Sequence, residues 1–199
     1  CTHPSIEEIV KEKYIKKDNL PVLSNNIITA IQLAQHIKKH SNKKILTYHN
    51  SVKNALGYKK LLNYIFEIYH IKTNVYIMSG KTKIKNRNEI INEFNQSEIG
   101  IICSAKVLNE GVDIPCVDTI VFVEPRKSTI DITQCVGRAM RLYKEQKKCN
   151  ILIPVHYDNI KKEHNFSNLI QILTSMCEID DNIIEYFINK KINNKLIIK

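Results

Sequence analysis

The sequence predicts an α/β fold: an open parallel sheet with helices on both faces, followed by a helical extension. Three observations lead there. From Lys44 onward, short β-branched runs alternate with longer amphipathic stretches, the pattern of parallel strands joined by crossover helices. The 199 residues, 43% hydrophobic and 25% charged, suffice for a real core without metal or disulfide staples. The longest apolar runs, such as Gly100 to Cys103 and Ile120 to Val123, are far too short to cross a bilayer, which excludes a membrane span.

Taken in order, a leading segment, 1–43, carries a helix over Asn25 to His40 that packs Ile28, Ile31, Leu33, Ala34 and Ile37 on the core. The central unit, 44–156, opens with a strand over Ile45 to Tyr48. Ser51 can cap a helix running to His70, with Val52, Ala55, Leu56, Leu62, Ile65 and Phe66 at helical spacing. A strand over Val75 to Ser79 and a helix over Ile84 to Asn95, with Ile90, Ile91 and Phe94 inward, follow. Strands are then expected over Ile99 to Cys103, Thr119 to Val123 and Asn150 to Val155. Between the last two, Ser128 to Leu142 reads as a helix with a polar cap and Asp131 in its first turns, where a negative charge suits the helix dipole. After Pro154 the strand signal stops, and the extension, 157–199, reads as two helices over Asn159 to Asn189, separated near Glu178 to Asp181.

The formal charge of +10 suits a polyanionic partner, since a clustered positive field attracts nucleic acid. A composition rich in Ile, Lys and Asn also puts Lys on ordinary surface whatever the partner. Cysteines at positions 1, 103, 116, 135, 149 and 177 form no CxxC and stand near no His pair at ligand spacing. They read as core thiols of an intracellular, reducing compartment, with no metal site. The first residue is Cys1 rather than Met, so the chain reads as a piece of a longer protein.

Ligands of open α/β sheets bind beyond the carboxyl ends of the strands, so the segments that follow each strand carry the chemistry. After the fourth strand come Pro125 to Arg141, and on a helix Gln134, Arg138 and Arg141 share one face. Guanidinium groups held that way suit phosphate, although a solvated basic face paired to a carboxylate fits the spacing equally well. In the preceding segment, Gly111 lets backbone approach a ligand, and Asp113 suits a ribose hydroxyl or a turn. Ser79-Gly-Lys-Thr82 looks like the end of a phosphate-binding loop, but the Gly that such a loop needs five residues before Gly80 is Val75. Without that loop and without an acidic box after a strand, the chain alone is not expected to hydrolyse ATP. The run Lys81, Lys83, Lys85, Arg87 could track a nucleic-acid backbone or form an exposed loop face, and Lys38, Lys39, Lys43 and Lys44 read the same way.

From Ile45 to Val155 the chain resembles the second, C-terminal RecA-like domain of superfamily 2 DEAD/DEAH-like helicases. Ile45-Leu-Thr-Tyr-His-Asn-Ser-Val-Lys-Asn-Ala55 is similar to helicase motif IV, and Ser79 to Arg87 with Phe94 to the family's next block. Leu108-Asn-Glu-Gly-Val-Asp-Ile-Pro115 is similar to motif V and Gln134-Cys-Val-Gly-Arg-Ala-Met-Arg141 to motif VI. The step Pro125-Arg-Lys-Ser128 resembles the branch related to restriction-enzyme motors and predicted viral helicases. The resemblance implies ATP as cofactor, with Mg2+ held mainly by an N-terminal RecA-like domain of the same protein, and DNA or RNA as partner. It implies that Arg138 and Arg141 act as arginine fingers with Gln134 beside the phosphates. Gly111, Asp113 and Gly137 would face the nucleotide, with Glu110 beside them or holding a motif VI arginine. His49, Asn50, Ser51, Ser79, Gly80 and Ser104 would contact the nucleic-acid backbone. Cys135 departs from the pattern, since many helicases carry Arg there, and Ala105 stands near a Thr of the pattern. The alternative is a non-catalytic RecA-like module that binds nucleic acid or a protein.

Overall fold

Apolar spacing and local caps set the elements of the computed structural model, which describes residues 24–40, 43–105, 117–124, 128–139, 149–153, 157–158, 163–164 and 167–178. Helix α1 spans Ser24–Lys39 and buries Ile27, Ala30, Leu33, Ala34 and Ile37 along one stripe. Strand β1 follows over Lys44–His49. Helix α2, Val52–Ile68, starts at Ser51, whose extended backbone and Oγ, accepting from the Asn54 N–H at 3.1 Å, make an N-cap. It stops where His70 takes a positive φ of 52° and the Ile71 N–H reaches back to the Phe66 carbonyl at 2.8 Å. Strand β2 is Asn74–Ser79, helix α3 Ile84–Gln96 and strand β3 Gly100–Ala105. Strand β4 is Thr119–Phe122, helix α4 Thr129–Ala139, and strand β5 Asn150–Leu152. Two short strands, β6 at Tyr157–Asp158 and β7 at Glu163–His164, precede helix α5, Ser167–Cys177.

The five main strands form one parallel sheet in the order β2-β3-β1-β4-β5. Because side chains alternate across a strand, the register sorts the apolar residues into two cores. Ile45, Val75, Ile101, Cys103, Ala105, Val121 and Val123 pack under α1 and α2. Leu46, Tyr48, Met78, Ile102, Ile120 and Phe122 pack on the other face with Phe94 of α3, Ile132, Cys135 and Val136 of α4, and Ile172 and Met176 of α5. Helices therefore cover both faces, and α5 docks through α4, with the Thr133 hydroxyl donating to the Ser175 carbonyl at 3.4 Å.

The tail departs from expectation. Residues read as the start of a helix from Asn159 are bracketed by an antiparallel β6–β7 pair, and α5 begins at Ser167. Strands of two residues each are too short to show an alternating pattern, so helical spacing was the only signal there. The second expected tail helix lies outside the described residues. β3 runs on to Ala105 rather than stopping at Cys103, and β1 takes in His49.

The amino edge of the sheet is tied by its own polar groups. Asp118 accepts from the Lys43 and Lys44 N–H groups at 2.8 and 3.0 Å, while the Asn150 N–H donates to its carbonyl at 2.8 Å. The Lys44 ammonium donates to the carbonyls of Phe94, Asn95 and Ser97 at the end of α3, where a cation meets the negative end of the helix dipole. It also lies 5.2 Å from the centre of the Phe94 ring. Lys43 pairs with Glu98 at 2.6 Å. Gly100 makes this closure possible, because a Cβ there would come within 2.6 Å of the Ser97 Oγ and 2.8 Å of the Phe94 ring.

Gly100→Ala is accordingly expected to cost about 1–3 kcal/mol of stability by overpacking, measured by urea unfolding. A second expectation concerns alkaline pH. Burial pushes the Cys103 thiol up to about 12 from its ordinary 9.0, against smaller lowering effects of Thr47 and Lys59. A raised folded value means that the thiol's contribution is complete below the unfolded value and is lost as pH rises through that interval. Wild-type stability should therefore fall more steeply above about pH 9 than that of Cys103→Ala, by at most roughly 1.4 kcal/mol per pH unit. Equal slopes in pH-dependent urea unfolding would refute this.

Candidate functional site

The register brings the carboxyl ends of the strands level. His49 lies opposite Ala105, and Ala105 opposite Ser79, while Tyr48 lies opposite Phe122. The segments leaving β1, β2 and β4 therefore meet along one edge.

After β1, Asn50 is exposed and Ser51 half-buried. They are held by Glu124, two residues past the end of β4 and 7% exposed. Its carboxylate accepts from the Asn50 N–H at 2.5 Å and from the Asn54 side-chain amide. A carboxylate beside the first turn of α2 also meets the positive end of the helix dipole. A buried carboxylate needs donors of this kind, since an unpaired charge in the interior is costly.

After β2 the chain makes a closed turn. The Ser79 N–H donates to the Thr82 Oγ1 and the Thr82 N–H to the Ser79 carbonyl, both at 2.9 Å. Arg87, one turn into α3, donates from Nε to the Thr82 carbonyl at 2.8 Å and from a terminal nitrogen to the Gly80 carbonyl at 2.9 Å. Gly80, Lys81, Lys83 and Lys85 are exposed, so the outside of the turn is basic. Val75, where a phosphate-binding loop would need Gly, is buried inside β2.

After β4 comes α4, capped by the Ser128 hydroxyl, which accepts from the Asp131 N–H at 3.2 Å. Ile132, Cys135 and Val136 are buried against the sheet, which leaves Gln134 exposed on the opposite side. Arg138 sits one helical turn beyond Gln134. At Gly137 a Cβ would meet nothing within 4 Å among the described residues, so this face of the helix is open to them. Arg141, Glu110, Gly111 and Asp113 lie outside the described residues.

Several expected contact residues turn out to be internal. His49 is a strand residue, fully buried, with its Nε2 2.9 Å from the Thr47 Oγ1 and its ring 5.1 Å from that of Tyr58. Ser104 is 2% exposed within β3, and its Oγ has no hydrogen-bond partner among the described residues. Ser79 is 8% exposed and engaged in the turn. The expectation that His49, Ser79 and Ser104 are open to a nucleic-acid backbone is thus corrected: β1 and β3 extend further than their apolar runs and bury His49 and Ser104, while Ser79, at the expected end of β2, is taken up by the turn. Asn50, Ser51 and Gly80 keep access. Lys43 and Lys44 belong to the opposite edge, with partners of their own. Glu124 was not anticipated, since its donors, the Asn50 N–H and the Asn54 side chain, come from a segment distant in sequence. Among the described residues there is no group of three His, Cys, Asp or Glu that could hold a metal, and no helix long and apolar enough to cross a membrane.

Comparison with known proteins places this edge in a family context. The family model described as "Helicase conserved C-terminal domain" matches residues 27–143. The chain is 33% identical over 109 residues to the ATP-dependent RNA helicase HAS1 of Candida glabrata, covering 55% of this chain and 21% of that protein. It is 27% identical over 126 residues to the putative ATP-dependent helicase IRC3 of Saccharomyces cerevisiae, covering 63% of this chain and 18% of that protein. The chain thus spans about a fifth of the length of these relatives. Among solved structures, it superposes with a TM-score of 0.72 on the ATP-dependent Type ISP restriction-modification enzyme LlaBIII bound to DNA, at 14% identity, covering 89% of this chain and 13% of that one. With domain 2 of the DEAD-box helicase Mss116p bound to an RNA duplex, the TM-score is 0.51 at 21% identity, covering 65% of this chain and 50% of that one. Both likenesses concern the fold.

The turn after β2 can be tested directly. Arg87→Ala removes two hydrogen bonds from a charged donor, each worth about 1.5 kcal/mol or more, so the amides of Ser79 and Thr82, which the turn's own hydrogen bonds protect, should exchange roughly 10- to 100-fold faster. Hydrogen-exchange mass spectrometry with Ile101 as an internal control would read this, and unchanged exchange would show that the turn stands without Arg87.

Proposed function

The chain belongs to the helicase conserved C-terminal domain family, and on that premise we propose that it is the C-terminal motor domain of an ATP-dependent superfamily 2 nucleic-acid helicase or translocase. One observation carries the reading: the loop after β1, the turn after β2 and the helix after β4 share one edge of a parallel sheet, within the residues that the family model matches.

ATP would lie between this edge and an N-terminal RecA-like domain of the same protein, with Arg138 and Arg141 reaching the γ-phosphate. Guanidinium groups there stabilise the charge that develops on the transferred phosphoryl group, as arginine fingers do. The open face of α4, with exposed Gln134 and no side chain at Gly137, fits a nucleotide at that place. Gly111 and Asp113 would line the same nucleotide, with Glu110 beside them. Mg2+ would be held mainly by the N-terminal domain, whose phosphate-binding loop and acidic box this chain does not supply, so the chain alone is inactive.

DNA or RNA would run over Asn50, Ser51 and Gly80. The exposed Lys81, Lys83 and Lys85 supply positive field along that path. HAS1 is an RNA helicase and LlaBIII was solved on DNA, so the relatives support either nucleic acid. Within the family, the Pro125 to Ser128 step supports the branch of restriction-enzyme motors and predicted viral helicases. The buried Cys103 thiol suits a reducing, intracellular compartment.

In the complete polypeptide, Arg138→Ala or Arg141→Ala should lower nucleic-acid-stimulated ATP turnover by about 10³-fold or more. Oligonucleotide binding should stay within a few-fold. Unchanged turnover would overturn the motor assignment and favour a non-catalytic RecA-like module.

A further inference from the structure

Glu124 stands where the two ligand-facing sides of the domain join. Behind it lies β4, and ahead of it only Pro125, Arg126 and Lys127 separate it from Ser128, the cap of α4. Its carboxylate holds a different segment, the loop after β1, through the Asn50 N–H and the Asn54 side chain, 74 and 70 residues away in sequence. A linker of three residues spans roughly 10–14 Å at full extension, so the cap of α4 cannot move far without drawing on Glu124. Glu124 cannot yield freely, because it is 7% exposed and an ionised carboxylate in the interior keeps its donors or is destabilised. Asn50, the exposed residue of that loop, is thus connected to α4 by one hydrogen bond to Glu124 and a linker of three residues rather than by continuous chain.

We propose that Glu124 is a positioning residue that couples the helix bearing Gln134 and Arg138 to the loop bearing Asn50 and Ser51, so that nucleotide at the first alters the grip on nucleic acid at the second. The proposal rests on the motor reading above and adds to it the element through which its two sites communicate. Glu124 touches neither ligand. Its role is to hold Asn50 and the first turn of α2 in the arrangement that α4 dictates. Gln in its place keeps the size and can still accept one hydrogen bond, but it loses the charge and offers an amide where the second donor must be met.

The test uses the complete polypeptide and a fluorescent single-stranded oligonucleotide, as DNA and as RNA, with affinity measured by anisotropy with and without a non-hydrolysable ATP analogue. The ratio of the two affinities is the coupling, and a role in folding alone would not move it. The wild-type ratio is expected to be about fivefold or more, and Glu124→Gln should bring it close to one while the thermal midpoint stays within a few degrees. Asn54→Ala, which removes one donor of the same clasp, should lower the ratio in part, and combining it with Glu124→Gln should add little. A Glu124→Gln protein that keeps the wild-type ratio overturns the proposal. So does a wild-type ratio of one with binding intact, which leaves the motor reading standing. Failure of the wild-type protein to bind either oligonucleotide overturns both.

Discussion

The central strand sets the terms for everything else in this domain. β1 is flanked by β3 on one side and β4 on the other, and from Ile45 to His49 each of its residues is buried. A strand with no wet face must have partners for all its backbone groups and apolar cover above and below. Ile45 requires α1 and α2, whereas Leu46 and Tyr48 require α3, α4 and α5. Once those layers are in place, the end of β1 can deliver Asn50 and Ser51 to one position only. The ends of β2 and β4 are bound to it by register.

The two edges of the sheet divide the polar residues by task. At the amino edge, the Asp118 carboxylate holds the Lys43 and Lys44 N–H groups, while the Lys43 ammonium pairs with Glu98 and the Lys44 ammonium with carbonyls at the end of α3, so the positive charge of the two lysines is structural. At the carboxyl edge, Lys81, Lys83 and Lys85 remain exposed, while Arg87 is turned inward to hold the turn on which Lys81 stands. The formal charge of +10 is thus not one surface property. Its part at the carboxyl edge, Lys81, Lys83 and Lys85, lies beside Asn50 and Gly80, where a polyanion would run on the reading above.

Much of the site was legible before the fold was known. The spacing of Gln134 and Arg138 is a property of any helix, and the polar cap at Ser128 needs only its neighbours, while Arg141 lies outside the described residues. Cys135 is clarified by the same geometry: one residue past Gln134, it lies on the buried side, where a thiol packs and an arginine would not. His49 and Ser104 were misplaced because an apolar run shows where a strand is strongest, not where its ladder ends, and the ladder is closed by partners distant in sequence. Glu124 went unread for a related reason. Nothing local distinguishes a carboxylate that will be solvated from one that will meet the Asn50 N–H.

By itself, then, the sequence determined the alternation of strands and helices and much of the face that each helix turns inward, although Val52 and Leu56 of α2, read as part of its apolar stripe, are exposed. These depend on side-chain period and on caps, which reach across only a few residues. The tertiary structure decided which strand ends lie level, which hydroxyls and rings pass from loop to core, and which charges are consumed in holding the sheet. It also decided that β6 and β7 pair antiparallel ahead of α5 and that Glu124 clasps a loop remote in sequence. Those outcomes turn on hydrogen bonds and burial between distant segments, whose cost and benefit exist only once the sheet has assembled.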